Sequence, residues 1–374
     1  MFSLNNLLRP HILTLMPYSS ARDEYTGKEG VFLDANENPL GSTTTGNYNR
    51  YPDPHQWAIK QRLAPIKGVR PEQIFLGNGS DEPIDLLVRA TCTPGTDSIL
   101  IMPPTYGMYE VSAAINDVKV TKVPLTADFL VDTDAVLAAI TDTTKLIWLC
   151  SPNNPSGNLL QPESIRTILD AAQQSLVIVD EAYIDFADVP SWTSELDNYP
   201  NLVVLQTFSK AWGLAALRLG MCFASEELIR IMNKIKPPYN ISAPTQALAL
   251  EALGNESEKN GMVAQILAER QSLADELRAL PMVQVVHPSD ANFLLVQFVD
   301  AKGTFEYLIE QQVIVRDRSN VKLCDGCLRI SVGTSTENER LMAVLRQIHD
   351  VSPATDLPLG TGDDATRPEL VSNA

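Results

Sequence analysis

Short apolar segments recur along residues 75–225 at intervals that suit strands alternating with helices. Six of them are apolar on both alternations, which is typical of strands covered on both faces. They are SILIMPP (98–104), DVKVTKVPL (117–125), KLIWLCSP (145–152), SLVIVDEAY (175–183), NLVVLQTFS (201–209) and RLGMCFAS (218–225). Helical stretches such as PESIRTILDAAQQ (162–174) lie between them. The pattern predicts an α/β fold with an open, mostly parallel sheet.

The pattern changes after Pro244 to a long helical stretch, residues 245–280, which reads as an arm to a second domain. Four further strands and two helices follow and predict a smaller α+β unit: strands at MVQVVHP, NFLLVQF, VIVRD and CLRISVG, and helices near 303–311 and 335–349. The last residues lack aromatic side chains and are rich in Pro, Gly, Thr and Asp, as in disordered tails. The predicted division is an N-terminal segment joining the small domain (1–44), a large domain (45–250), a small C-terminal domain (251–351) and a tail (352–374).

Composition narrows the possible partners. The 29 basic and 46 acidic residues give a net charge of -17, with a pI of about 4.7, which argues against nucleic acid and anionic membranes as partners. The five cysteines are odd in number and scattered, which favours a reducing compartment. No apolar stretch approaches a membrane span, and the N-terminus lacks a signal-peptide pattern. We therefore expect a cytoplasmic protein.

Three polar motifs follow successive predicted strands, where ligands of open α/β sheets bind: SPNNPSGN (151–158), DEAYIDF (180–186) and TFSK (207–210). Lys210 at such an edge is a Schiff-base candidate, because desolvation and nearby cations lower the proton affinity of an amine. Arg218 follows it eight residues later, and Asp180 ends the preceding strand. A buried carboxylate needs a buried cation, and a protonated pyridine nitrogen is one.

The stretch GNGSDEPIDLLVRA (77–90) predicts a second feature, a site for an anion. It reads as a glycine turn, an N-cap at Ser80 and then a helix, an arrangement that aims backbone N–H groups and the helix dipole at negative charge. A plain capped helix without a ligand is the alternative interpretation.

In this order and spacing, SPNNPSG, DEAYIDF and TFSKAWGLAALRLG resemble the fold-type I aminotransferases that use pyridoxal 5'-phosphate (PLP), over roughly residues 16–350. Within that group LMPYSSAR, LDANENPLG, RYPDP, GNGSDE, VIVRD and CLRISVGT are similar to the histidinol-phosphate aminotransferase family. The resemblance implies a homodimer that exchanges an amino group between L-histidinol phosphate and 2-oxoglutarate. The products would be imidazole-acetol phosphate and L-glutamate, within histidine biosynthesis.

The resemblance also implies roles for single residues. Lys210 would form the Schiff base with PLP and move the proton of the substrate α-carbon. Asp180 would pair with the pyridinium nitrogen, while Tyr183 and Asn154 would hydrogen-bond the phenolate oxygen. Tyr106 would stack on the cofactor ring. The remaining cofactor contacts, to the phosphate, would come from Gly79, Ser80, Asp81, Thr207, Ser209 and Arg218, and from Tyr51 of a second subunit.

Two arginines bear on substrate choice. Arg329 lies between apolar neighbours in CLRISVG, where a cation needs an anion to offset desolvation. Because histidinol phosphate has no α-carboxylate, we interpret Arg329 as the anion anchor common to both substrates. The resemblance implies that Arg316 binds the substrate phosphate and that Tyr18 and Asn36 line the same pocket.

Several alternatives stay open at this point. Asn154 could be a turn residue, Tyr106 a partly buried aromatic, and Arg316 the partner of Asp317 or Asp325 in a surface ion pair. The sequence CDGC (324–327) reads as a turn before a strand, since no second cysteine pair accompanies it, and no metal is expected. The alternative functions are a PLP-dependent decarboxylase of threonine phosphate, an aromatic-amino-acid aminotransferase and a non-catalytic PLP-binding domain.

Overall fold

A seven-stranded sheet forms the centre of the larger domain in the computed structural model, which describes residues 2–18 and 30–350. Its spatial order is β1-β7-β6-β5-β4-β2-β3. β7 is antiparallel to β1 and to β6, and the remaining pairs are parallel. The strands are β1 Ile74–Asn78, β2 Ser98–Ile101, β3 Lys119–Lys122, β4 Thr144–Cys150, β5 Leu176–Asp180, β6 Leu202–Thr207 and β7 Leu219–Phe223.

Both faces of this sheet are buried, as the consecutive apolar residues predict. Along β4, Ile147 and Leu149 belong to the hydrophobic cluster on one face, while Leu146 and Trp148 belong to the cluster on the other. Side chains alternate between the faces of a strand, so a central strand covered by helices on both sides must be apolar at every position.

The smaller domain contains an antiparallel sheet in the order β10-β11-β9-β8, with its own apolar cluster. Its strands are β8 Val283–Val286, β9 Phe293–Phe298, β10 Arg316–Asp317 and β11 Cys327–Ser331. In β11, Leu328 and Ile330 face the small-domain cluster, whereas Cys327 belongs to a cluster of the large domain. The alternate face of β11, which also carries Arg329, therefore points toward the large domain.

The α-helices of the described residues are α1 Leu4–Leu7, α2 Pro10–Thr14, α3 Trp57–Lys67, α4 Asp81–Thr91, α5 Met108–Ile115, α6 Thr133–Ala139, α7 Pro162–Ala171, α8 Glu226–Ile235, α9 Ala243–Leu253, α10 Glu256–Arg278, α11 Ala301–Glu310 and α12 Ser335–Asp350. None of them is long and apolar enough to cross a bilayer. The arm between the domains is two helices, α9 and α10, separated at Gly254 and Asn255. The sequence pattern gave no separate signal for β1, a five-residue strand directly before the turn at Gly79.

The N-terminal helices contradict the prediction that residues 1–44 join the small domain. Leu4, Leu7 and Leu8 are buried in a large-domain cluster, and the Arg9 amide donates to the Ala90 carbonyl at 3.0 Å. The reason is that the leucines of this short segment fit against the helices that cover the large sheet. The other predicted domain limits stay predictions, and the predicted tail (352–374) lies outside the described residues.

Candidate active site

The polar motifs meet at the carboxyl ends of three adjacent strands. β4, β5 and β6 are neighbours in the sheet, and Cys150 pairs with Asp180, which pairs with Leu205. Loops that leave these ends bring Asn154 and Lys210 to the same cavity. Ten of the predicted site residues line it: Ser80, Asp81, Tyr106, Asn154, Asp180, Tyr183, Thr207, Ser209, Lys210 and Arg218.

Asp180 is a buried carboxylate at the floor of this cavity. Its Oδ2 accepts a hydrogen bond from the Tyr109 hydroxyl at 2.5 Å, and its Oδ1 accepts one from the Ala182 amide at 3.1 Å. Burial raises its pKa to about 6, and these two donors oppose the rise. Within the described residues no cation forms an ion pair with it. Asp180 is therefore suited to a cationic ligand group.

Tyr109 is the functional residue that sequence reasoning missed. Its ring is fully buried and stacks on Trp148, with centroids 4.7 Å apart. Burial, followed by the Asp180 charge, raises the pKa of its hydroxyl well above the ordinary value, so it stays a donor. The available signal was the spacing of PPTYGMY: Tyr109 lies three residues after Tyr106 at the start of α5, so the two share one helix end.

Lys210 lies at the mouth of the cavity, where its side chain is exposed and its Nζ is 5.3 Å from the centroid of the Tyr183 ring. Partial desolvation, then the Arg329 charge, lowers its pKa, while Asp180 acts in the opposite direction. A lowered pKa increases the fraction of free amine, the form that attacks an aldehyde. The amine makes no hydrogen bond to another described residue, so it is available to a ligand.

A cradle for an anion lies beside it, at the start of α4. A Cβ on Gly220 would lie 2.2 Å from the backbone carbon of Gly79 and 2.4 Å from the Ser80 amide nitrogen, so only glycine lets β7 approach this turn. Arg218 is held here, with Nη1 3.4 Å from the Ser209 hydroxyl and Nη2 3.5 Å from Asp81 Oδ2. The first N–H groups of a helix have no acceptor within it. Helix start, hydroxyl and guanidinium together form a site for a phosphate.

The side chains of Ser80 and Asp81 differ from the simplest expectation for a capped helix. Ser80 precedes α4, but its side chain makes no capping hydrogen bond and lines the cavity. The Asp81 carboxylate accepts from the Tyr106 hydroxyl at 3.0 Å and pairs with Arg218. Asp81 thus holds two other site residues in place with its side chain, while its backbone N–H belongs to the helix start.

Tyr183, Asn154 and Arg329 form a connected group across the domain boundary. The Asn154 amide donates to the Tyr183 hydroxyl at 3.4 Å, and its oxygen accepts from Arg329 Nη1 at 2.5 Å. Arg329 also lies over the Phe293 ring, with 5.3 Å from its guanidinium carbon to the centroid. Burial raises the pKa of the Tyr183 hydroxyl, and the Arg329 charge opposes this. Asn154 is therefore more than a turn residue, because its side chain joins the two domains at the cavity.

Arg316 pairs with Arg329 across β10 and β11, so both side chains lie on the sheet face that points toward the large domain. Arg316 is exposed. Asp317 instead accepts from the Ser319 amide and hydroxyl, at 2.8 and 2.6 Å. Over residues 2–18 and 30–350, Arg316 forms no ion pair, which removes the surface-pair alternative within that range.

Three predicted residues lie elsewhere in the chain. Tyr18 lines a cleft with Trp57, whereas Asn36 and Tyr51 line another with Tyr239. Tyr51 stacks on Tyr239 at 4.4 Å and is half exposed. The clefts that Tyr18 and Asn36 line do not include Arg316, and the prediction that they line the substrate pocket stays a prediction. Residues 30–52, which include Asn36 and Tyr51, form no helix or strand and are mostly exposed.

The geometry of a lysine, a buried carboxylate and a phosphate cradle defines a class of enzyme, and the family comparison gives the same class. The model of the family "Aminotransferase class I and II" matches residues 25–345. The chain belongs to this family of PLP-dependent aminotransferases.

Relatives and solved structures agree with this class. The histidinol-phosphate aminotransferase of Cytophaga hutchinsonii is 59% identical over 345 residues, covering 92% of this chain and 99% of that protein. The histidinol-phosphate aminotransferase of Parabacteroides distasonis is 52% identical, covering 93% and 99%. The structure of the Sinorhizobium meliloti histidinol-phosphate aminotransferase in complex with PLP has the same fold, with a TM-score of 0.74 and 24% identity over 91% of this chain and 98% of that chain. These findings confirm the predicted family, fold class and cofactor.

The residues of the cavity fit PLP. The buried Asp180 carboxylate forms no ion pair among the described residues, and a protonated ring nitrogen would supply the cation for one. The start of α4 and Arg218 suit the phosphate, and the Lys210 amine suits the aldehyde. Each part of the cofactor therefore meets a suitable group: a carboxylate for the ring nitrogen, N–H donors and a cation for the phosphate, and an amine for the aldehyde.

Asp180→Asn should change how the stability of the cofactor-free protein depends on pH. A carboxyl whose pKa rises on folding from 3.8 to about 6 stabilises the fold below about pH 4, and this contribution is lost as the pH rises through about 6. At 1.36 kcal/mol per pKa unit, the loss is up to about 3 kcal/mol. We expect the variant, measured by urea unfolding at pH 5 and 7.5, to lose less stability than the wild type, by about 1 to 1.5 kcal/mol.

The exposed Asp128 offers a matched control, since Asp128→Asn removes one charge without touching the cavity. Its pH dependence should follow the wild type. A wild-type-like pH dependence in Asp180→Asn would contradict the assignment of Asp180 as a buried carboxylate with a raised pKa.

Proposed function

We propose that the chain is a histidinol-phosphate aminotransferase, which converts L-histidinol phosphate and 2-oxoglutarate to imidazole-acetol phosphate and L-glutamate, reversibly. The family and the two relatives support transamination and this substrate. The observation that carries the substrate is the pair Arg316 and Arg329, which lie opposite each other on adjacent strands, on one sheet face at the boundary of the Lys210 cavity, without a carboxylate partner among the described residues. Such a pair suits a phosphate or a distal carboxylate.

Lys210 is the proposed proton carrier of the reaction. PLP, when bound, supplies an electron sink that makes the substrate α-proton acidic. The Lys210 amine would accept this proton from the substrate α-carbon and return it to the aldehyde carbon of the cofactor, and the reverse sequence would serve the second substrate. Its lowered pKa keeps it competent as a base near neutral pH, because less of it is protonated at the start.

The residues around Lys210 hold the cofactor in the state that this chemistry needs. Asp180 favours a protonated ring nitrogen, and Tyr109 orients Asp180 by donating to its second oxygen. Tyr183 and Asn154 provide a hydroxyl and an amide for the oxygen of the ring. Tyr106, tethered to Asp81, supplies an aromatic face. These roles are proposals that follow from positions in the cavity.

A homodimer is proposed as the active form. Tyr51, the residue expected to reach the phosphate of a second subunit, lies outside the Lys210 cavity of its own chain and is half exposed. Other apolar side chains, among them Leu248 and Met262, are also exposed. Sedimentation of the holoenzyme should give twice the chain mass of 41.1 kDa, and a monomer with full activity would contradict the shared site. The free, buried cysteines support a cytoplasmic location as part of this proposal.

Half-reaction spectra test the function directly. The holoenzyme is mixed in turn with L-histidinol phosphate, L-phenylalanine and L-glutamate, and the loss of the cofactor's visible absorbance is followed. Fast conversion by histidinol phosphate and glutamate supports the proposal. Preference for phenylalanine would favour an aromatic-amino-acid aminotransferase, and release of carbon dioxide from threonine phosphate would favour the decarboxylase.

A further inference from the structure

Arg318 is a third arginine on the sheet face that carries Arg316 and Arg329. Its amide donates to the Cys327 carbonyl at 3.0 Å, which continues the pairing of β10 with β11 by one residue. Residues two apart on a strand project from the same face, so Arg316 and Arg318 share a face with Arg329 and Cys327. Cys327 and Leu295, the β9 partner of Arg329, belong to a large-domain cluster, which shows that this face is turned toward the large domain.

The guanidinium of Arg318 is without a protein partner in the described part of the chain. Its Nε is buried and forms no hydrogen bond, and no carboxylate pairs with its Nη groups. Other arginines of the molecule show the usual arrangement: Arg50 pairs with Glu37 at 2.7 Å, and Arg346 pairs with Glu276 at 2.7 Å. A half-buried guanidinium that lacks both a carboxylate and a carbonyl loses hydration without compensation.

The charges around Arg318 show where it lies. Desolvation, followed by the positive charges of Arg329 and Arg316, lowers its pKa, while Cys324 and the Tyr183 hydroxyl act in the opposite direction. Arg329 also donates to Asn154, which contacts the Tyr183 hydroxyl. Arg318 therefore lies near Arg329, Arg316 and the Tyr183 hydroxyl, on the side of the cavity where the substrate is proposed to bind.

We propose that Arg318 is a further specificity-determining residue, which together with Arg316 and Arg329 binds the phosphate dianion of the substrate. Three guanidinium groups without a carboxylate repel one another, and an anion bearing two charges offsets this repulsion better than a carboxylate does. Arg318 accordingly favours phosphorylated substrates over glutamate. This inference rests on the proposed function, since it assigns the substrate phosphate to the same site.

The test uses the full-length holoenzyme with Arg318→Gln and Arg318→Lys. Loss of one charge-assisted contact should lower kcat/KM of Arg318→Gln for L-histidinol phosphate by about 10- to 100-fold. The half-reactions with L-glutamate and unphosphorylated L-histidinol should change by less than about threefold. Arg318→Lys should keep at least about a tenth of the wild-type value for histidinol phosphate, because it keeps the charge but loses the planar fork.

Inhibition by inorganic phosphate provides a readout besides turnover. In the holoenzyme the cofactor's own phosphate would fill the cradle at α4, so added phosphate should compete at the substrate side. Its inhibition constant against L-glutamate should rise about tenfold or more in Arg318→Gln. Arg340→Gln is the matched control: Arg340 is an exposed small-domain arginine whose side chain hydrogen-bonds the Gln311 carbonyl at 3.3 Å and forms no ion pair within the described residues, and its loss changes the net charge equally.

Two results would overturn the inference. Equal losses for all three substrates, with a melting temperature well below the wild type, would make Arg318 a structural residue of the domain boundary. Unchanged phosphate inhibition in Arg318→Gln would remove it from the anion site. A wild-type enzyme that transaminates other amino acids but ignores histidinol phosphate would instead refute the proposed function, and the phosphate arm would still decide the role of Arg318.

Discussion

Lys210→Ala is expected to abolish transamination, with kcat at least about a thousandfold below the wild type. The same amine forms the bond to the aldehyde and carries the proton, so one substitution removes both roles. Borohydride reduction should attach the cofactor covalently to the wild-type chain at Lys210 and leave the variant unlabelled. Mass spectrometry of the tryptic peptides measures this directly, independently of turnover.

The fold should tolerate this substitution, which makes the result interpretable. The Lys210 side chain is exposed and makes no hydrogen bond within the described residues, so the melting temperature of the cofactor-free variant should stay within about 2 °C of the wild type. Lys302→Ala, which removes an exposed lysine of α11, serves as control and should keep full activity and labelling. Wild-type turnover by Lys210→Ala would remove the proposed mechanism.

The sequence predicts the large domain well because its strands, except the edge strand β3, are almost wholly buried. Six of its seven strands coincide with apolar segments, and the topology then places the motifs after β4, β5 and β6 at one edge. Position along the chain is sufficient here, since the ends of adjacent parallel strands meet whatever the loop conformations are. Lys210, Asp180 and Asn154 could therefore be assigned to one site before any coordinates were known.

Other features depend on contacts that have no local signature. The hydrogen bond of Tyr109 to Asp180 joins residues 71 positions apart and forms because the Tyr109 ring stacks on Trp148 of β4, the strand beside β5. The burial of the Arg318 Nε without a hydrogen bond depends on how the face of the small sheet that carries it packs on the large domain. The positions of Tyr18 and Asn36 depend on the path of an irregular segment, which neither strand nor helix periodicity determines. The position of a side chain can thus be predicted where a regular strand or helix sets it. It cannot be predicted where only the packing of distant residues sets it.

The two arginines of the proposed substrate site should respond differently to removal, because only one of them supports another site residue. Arg329 donates to Asn154 and lies on Phe293, so its loss disturbs the group that contains Tyr183. Arg329→Ala should therefore slow every substrate. Arg316 is exposed and without an ion pair among the described residues, so its loss should leave the protein itself intact and act through the ligand.

Arg316→Ala should accordingly discriminate between substrates. Truncating one partner of a close charge pair costs about 2 to 5 kcal/mol, which corresponds to a loss in kcat/KM of about 30-fold to about 5,000-fold for L-histidinol phosphate. The exposure of Arg316 places the expected value toward the lower end, since water screens the pair. L-Glutamate should also react more slowly, because its distal carboxylate needs the same cation, whereas L-phenylalanine and unphosphorylated L-histidinol should change by less than about threefold.

Stopped-flow half-reactions with the four substrates measure this pattern. If Arg316→Ala slows phosphorylated and unphosphorylated substrates equally, Arg316 does not bind the phosphate, and the choice of histidinol phosphate over an aromatic amino acid loses its structural basis.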